Sequence, residues 1–173
     1  MSSLPMQTVC VLIYACTTYW FTGQPLEWQR FFAFSWILIE ISYVAMCLGF
    51  LNGSIFNVKN GVIFGPFFIT PFLIFSGFLL RMADTPSYVH WLFHISFLKH
   101  GLVGLSLSIF GTDRAKLECE KVYCHYRNPR QFLKDVGVES DHYYIAVAAL
   151  ALIAAVVITS AYLILKYRLK KKW

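Results

Sequence analysis

Apolar positions run almost unbroken through four blocks, residues 6–22, 31–52, 61–80 and 143–165, with short polar joints between the first three and a long charged stretch before the fourth. A hydrocarbon core roughly 30 Å thick takes about 20 apolar residues in helix. The pattern therefore predicts four transmembrane helices. The third block contains Pro66 and Pro71 and runs into Ser76-Gly77, which predicts a kinked helix that breaks at that pair. Two apolar pieces too short to cross, residues 85–98 and 101–111, follow it. Thr85 is suited to cap a helix with Pro86 in its first position. Ser87, His90 and His94 would share one face of that helix, and Val89, Leu92, Phe93 and Phe97 the other. Gly101 and Gly104 allow a turn and a close-packed second piece. Irregular backbone at membrane depth survives only under protein or beside a water-filled cavity, so these pieces are expected to form a re-entrant helix-turn-helix.

Composition supports an all-α membrane protein: 58% of the 173 residues are hydrophobic and 14% charged. Three parts follow, residues 1–80 with three spans, 81–142 as an extracellular loop with the re-entrant pieces, and 143–173 with the last span and a basic tail. The net charge of +6 is distributed along the chain in a way that suggests an orientation. Lys166, Arg168, Lys170, Lys171 and Lys172 close the fourth block and Lys59 lies between the second and third, all without a neighbouring acid. The remaining bases are mixed with every acid except Glu40. Basic residues concentrate on the cytoplasmic side, which places both termini there. No basic patch is interleaved with stacking aromatics, so nucleic acid is not an expected partner; membrane lipid is. Asn52-Gly53-Ser54 has the form of a glycosylation sequon, but at the cytoplasmic end of a span it should stay unmodified.

Cys10, Cys16 and Cys47 sit inside apolar blocks and read as small buried hydrophobes. Cys119 and Cys124 lie in the charged loop facing an oxidising compartment, where a local disulfide is expected and an intersubunit bridge is the alternative. A metal clip with His125 lacks further ligands, and His90 with His94 lacks a third, so no metal site is expected. Glu40 stands inside the second span, where a charge costs about 2.5 to 3.5 kcal/mol. It should face protein or a cavity, as a functional carboxylate or as a hydrogen-bonded interface residue. Small residues recur at four-residue spacing, Gly49 with Gly53, Gly61 with Gly65, and Ala151 with Ala155, next to Ala148 and Ala154, and permit close helix contact.

Gly65-Pro66, Pro71, Phe75-Ser76-Gly77-Phe78, Pro86-Ser87-Tyr88, Trp91, Ile95-Ser96, Gly101, Gly104 and Ser108-Ile109-Phe110-Gly111 together resemble the G subfamily of ATP-binding cassette half-transporters, White type. The likeness is nearest to the cholesterol and phospholipid exporters of that group and covers nearly the whole chain. It implies a partial ABC-2 type transmembrane domain whose four spans are the third to sixth of six. It also implies a second half-transporter as partner, identical or different, a lipid or sterol substrate, and a plasma or endosomal membrane. The substrate path would follow Phe67, Thr70, Leu73 and Ile74, with Phe78 and Leu79 as an apolar plug below the exit. Where the family often has Arg-Tyr and then a Glu in the re-entrant turn, this chain has Lys99-His100 and Val103, so a relay role for that carboxylate does not carry over. No Gly-x-x-x-x-Gly-Lys-[Ser/Thr] loop is present. The chain thus holds no ATPase residues, ATP and Mg belonging to the nucleotide-binding domain of a longer protein of which this would be the C-terminal portion. The alternative is a complete small four-span protein acting as a scaffold or channel subunit.

Overall fold

The computed structural model describes residues 3–24, 27–56, 58–77, 86, 90–111, 128–135, 138 and 142–172. Seven helices occur among them: α1 (Ser3–Phe21), α2 (Trp28–Ile55), α3 (Val58–Ile74), α4 (His90–Ile95), α5 (Phe97–Phe110), α6 (Pro129–Asp135) and α7 (Tyr143–Lys172). Two of them, over Trp28–Ile55 and Tyr143–Lys170, are long and apolar enough by themselves to cross a membrane. Thirty-odd large hydrophobic side chains stand exposed, Met6, Trp20, Val62, Phe67 and Leu152 among them. Water would not tolerate such a surface; lipid or further protein would.

Helix α2 is the axis of the molecule and touches α1, α3, α5 and α7. Helix α1 packs antiparallel to it through a polar seam at one end, where Gln7 Nε2 donates to Ser42 Oγ at 2.6 Å and the hydroxyls of Thr8 and Tyr43 meet at 2.7 Å. At the other end Tyr19 meets Phe31 edge-on, with ring centroids 5.3 Å apart. The turn between these helices uses Gly23 at φ +62°, a left-handed conformation that suits glycine. Helix α7 runs parallel to α2, because the Tyr143 hydroxyl donates to the Ala33 carbonyl near the start of both and Arg168 Nη1 donates to the Ser54 carbonyl near the end of both, each at 3.0 Å.

The remaining side of α2 is shared by two short helices. Helix α3 covers the later half, where the Asn52 amide donates to Gly61 O at 3.1 Å and a Cβ at Gly65 would lie 2.9 Å from Asn52 Nδ2. Helix α5 covers the earlier half in the antiparallel direction. A Cβ at Gly101 would lie 2.6 Å from Ile41 Cδ1, and one at Gly104 2.6 Å from Ile37 Cδ1. The absent side chains let the two backbones approach. The far end of α5 is closed by Arg30, whose Nη1 donates to Ile109 O at 3.0 Å and Gly111 O at 3.1 Å. A cation on the terminal carbonyls of a helix also complements its dipole.

Helices α3 and α5 meet beside the middle of α2. Phe72 and Phe97 lie with ring centroids 5.7 Å apart, and Ser96, fully buried, donates its hydroxyl to Phe72 O at 3.0 Å. That carbonyl lies in the last turn of α3, where Ser76 N turns back to Leu73 O instead. Ser96 therefore supplies the partner that a continuing helix would have given. The sequence expectation of a turn at Gly101 is corrected here: the break falls at Ser96, and both glycines lie inside α5 as contact points. Pro86 stands outside α4, which begins at His90, while Thr85 and Ser87 lie outside the described residues. Helix α6, absent from the sequence reading, packs beside the end of α5, with Phe132 4.7 Å from Phe110 and Leu133 in a cluster with Val103, Val138 and Ala146.

Candidate substrate path along the proline-bearing helix

Helix α3 contains Pro66 and Pro71 without losing continuity and ends at Ile74, followed by a turn and by Gly77 at φ +88°. Proline cannot donate to the fourth carbonyl before it, which loosens the ladder at Val62 and Phe67. The Thr70 hydroxyl donates to Pro66 O at 2.8 Å. The single hydroxyl expected on the substrate wall is thus engaged with its own backbone, and what it offers outward is a methyl group and oxygen lone pairs.

At about 100° per residue, Gly61, Gly65 and Phe72 form one edge of α3, and they are its partly buried positions. Phe67, Thr70 and Ile74 fall on the opposite side, with Leu73 on its flank. All four are exposed, Phe67 at 82%. The structure brings these four sequence-predicted residues onto one outward wall. Phe78 and Leu79, the expected plug, lie outside the described residues, as do Cys119 and Cys124.

Glu40 is on α2, away from this wall. Its Oε1 accepts from Trp36 Nε1 at 3.0 Å, one turn earlier on the same helix, and its Oε2 is buried with no partner among the described residues. Of the small-residue pairs, Gly61 and Gly65 serve the α2–α3 contact, whereas Gly49 and Gly53 face open space. Sequence reasoning missed Arg30, which had been grouped with the loop bases. Its signal was a lone arginine at the head of an apolar block, three residues after Glu27, to which its Nε is also bonded; its side chain is 10% exposed. No group of three or more His, Cys, Asp or Glu able to hold a metal ion occurs among the described residues.

The family model described as ABC-2 type transporter matches residues 1–110. Among curated relatives, the ABC transporter ATP-binding protein/permease wht-1 of Caenorhabditis elegans is 29% identical over 120 residues, which is 68% of this chain and 18% of that protein. ABC transporter G family member 1 of Dictyostelium discoideum is 26% identical over 181 residues, 98% of this chain and 22% of that protein. Protein white of Drosophila melanogaster is 22% identical over 178 residues, 99% of this chain and 25% of that protein. The chain therefore spans a quarter or less of the length of these relatives.

Proposed function

Because the chain belongs to the ABC-2 type transporter membrane family, and within it to the G-subfamily transporters, we propose that it forms part of the pore of an ATP-driven lipid exporter. In this reading α1, α2, α3 and α7 each cross the bilayer and α4 with α5 makes a re-entrant pair on the outer side. Both termini are cytoplasmic, in a plasma or endosomal membrane. ATP and Mg are bound elsewhere in the longer protein, whose closing cassettes drive the spans of two half-transporters between inward and outward states.

The observation that carries the proposal is the outward wall of α3. A helix held to its own bundle by one edge, with Phe67, Thr70, Leu73 and Ile74 exposed opposite, needs cover from something beyond the described residues. The same wall from a second half-transporter would complete an apolar slot, and an apolar lining with few polar groups suits a flat sterol or an acyl chain. Phe78 and Leu79, just past Gly77, would close that slot toward the exit.

The test places this segment in a full-length half-transporter with its own cassette and substitutes Phe67→Ala with Ile74→Ala. Lipid efflux and its ratio to ATP hydrolysis should fall while surface expression persists, and Val156→Ala in α7 should be neutral. Unchanged efflux and hydrolysis at normal expression would remove this wall from the path.

A further inference from the structure

All carboxylates except Glu40 lie at Glu27 or between residues 80 and 142. The opposite end of the bundle, where α2 passes into α3 and α7 terminates, carries Lys59, Lys166, Arg168, Lys170, Lys171 and Lys172. Helix α7 continues through Lys172. Its 30 residues make a rod of about 45 Å, longer than a hydrocarbon core of about 30 Å, so its last turns sit at the level of lipid headgroups.

The rotation of that rod is set by Arg168, whose Nη1 reaches Ser54 O on α2 at 3.0 Å. At about 100° per residue, Lys166 and Lys170 share a stripe on the side away from Arg168 and α2. Tyr162 lies one turn earlier on the same stripe. All three are exposed, Tyr162 at 64%. Neither lysine has a hydrogen bond or ion pair among the described residues. Two ammonium groups one turn apart repel each other unless an anion sits between them, and Leu163, Leu165 and Leu169, all exposed beside the stripe, mark it as a surface approached through lipid.

We propose that Tyr162, Lys166 and Lys170 form a binding stripe for the headgroup of an anionic phospholipid. The two ammonium groups meet its phosphate or carboxylate, and the Tyr162 hydroxyl donates to the ester and glycerol oxygens beneath. The occupant is lipid rather than an acidic segment of protein because the stripe descends directly into the apolar surface of α7. This inference rests on the reading of α7 as a membrane span.

The full chain, reconstituted in phosphatidylcholine vesicles, can be probed by electron spin resonance with traces of spin-labelled phosphatidylserine or phosphatidylcholine. An integral protein produces a motionally restricted lipid component, and comparison of the two labels gives headgroup preference. A basic residue near the surface contributes about five-fold to binding at its own site, so phosphatidylserine should be preferred by about two-fold or more over the averaged lipid shell. Lys166→Gln with Lys170→Gln should bring the preference to near parity, without changing the restricted phosphatidylcholine fraction; Lys59→Gln should retain most of it. Equal association of both labels with the unaltered chain overturns the inference, as does a preference that survives the double substitution. Absence of any restricted component overturns the membrane-spanning reading along with it.

Discussion

The contact between α5 and α2 makes a quantitative demand on one methyl group. A Cβ at Gly104 would lie 2.6 Å from Ile37 Cδ1, 3.1 Å from its Cγ1 and 3.3 Å from its Cγ2. Ile37 is fully buried in a cluster with Val44, Phe97 and Leu150, so it has no solvent to swing into. Overpacking of this kind costs about 1 to 3 kcal/mol. Alanine in place of glycine in a helix interior returns about 1 kcal/mol of propensity, which obscures the steric cost if Gly104→Ala is measured alone. Gly49→Ala supplies the correction, because Gly49 is also inside a long helix and a Cβ there meets nothing within 4 Å. The propensity gain is common to both, so their difference isolates the clash. Unfolding in mixed detergent micelles should therefore find Gly104→Ala about 1 to 3 kcal/mol less stable than Gly49→Ala. Gly101→Ala should fall between them, since its nearest neighbours are Cδ1 and Cγ1 of Ile41, a partly exposed side chain with more room to shift than Ile37. Equal stability of Gly104→Ala and Gly49→Ala would refute the account of how α5 is seated.

Ser96→Ala should cost about 1 kcal/mol in the same assay, because Phe72 O then loses its hydroxyl partner inside the bundle; no loss would mean that the α3–α5 junction does not depend on that bond. Cys119 and Cys124 should bridge within one chain, so cleavage between them after thiol blocking should leave the fragments joined until reductant is added; two freely reactive thiols in the native protein would exclude the bridge. Cysteines introduced beside Arg127 should label on intact cells and those beyond Arg168 should not, and the reverse pattern would invert the orientation.

The helical blocks were legible because a helix whose surroundings are lipid or other apolar helices needs apolar residues on nearly every face, and the run in sequence is correspondingly long. The end of α3 was legible for a different reason: Ser76-Gly77 offers a left-handed position that few other residue types accept, and Gly77 adopts it. The turn between α4 and α5 was misplaced. Glycine serves both chain reversal and close helix approach, and only the position of Ile37 and Ile41, far upstream, shows that Gly101 and Gly104 serve the second. Ser96 gave no local sign of its role, since its partner is a carbonyl freed by the end of another helix. On the candidate path, helical periodicity was enough to group Phe67, Thr70 and Ile74, but not to reveal that the Thr70 hydroxyl is already engaged with Pro66 O. Periodicity also could not identify the edge of α3 that docks, which depends on Asn52 and the close approach at Gly65.

The central claim is that the outward wall of α3 faces its counterpart in a second half-transporter. Cross-linking with a short thiol reagent, in two differently tagged full-length transporters that carry this segment and lack Cys10, Cys16 and Cys47, tests it directly. Thr70→Cys should join the two tagged copies rapidly, and a lipid substrate should slow the reaction. Val156→Cys, exposed on α7, should not join them. Efficient joining through Val156→Cys with none through Thr70→Cys would put lipid against α3 and contradict the pore assignment.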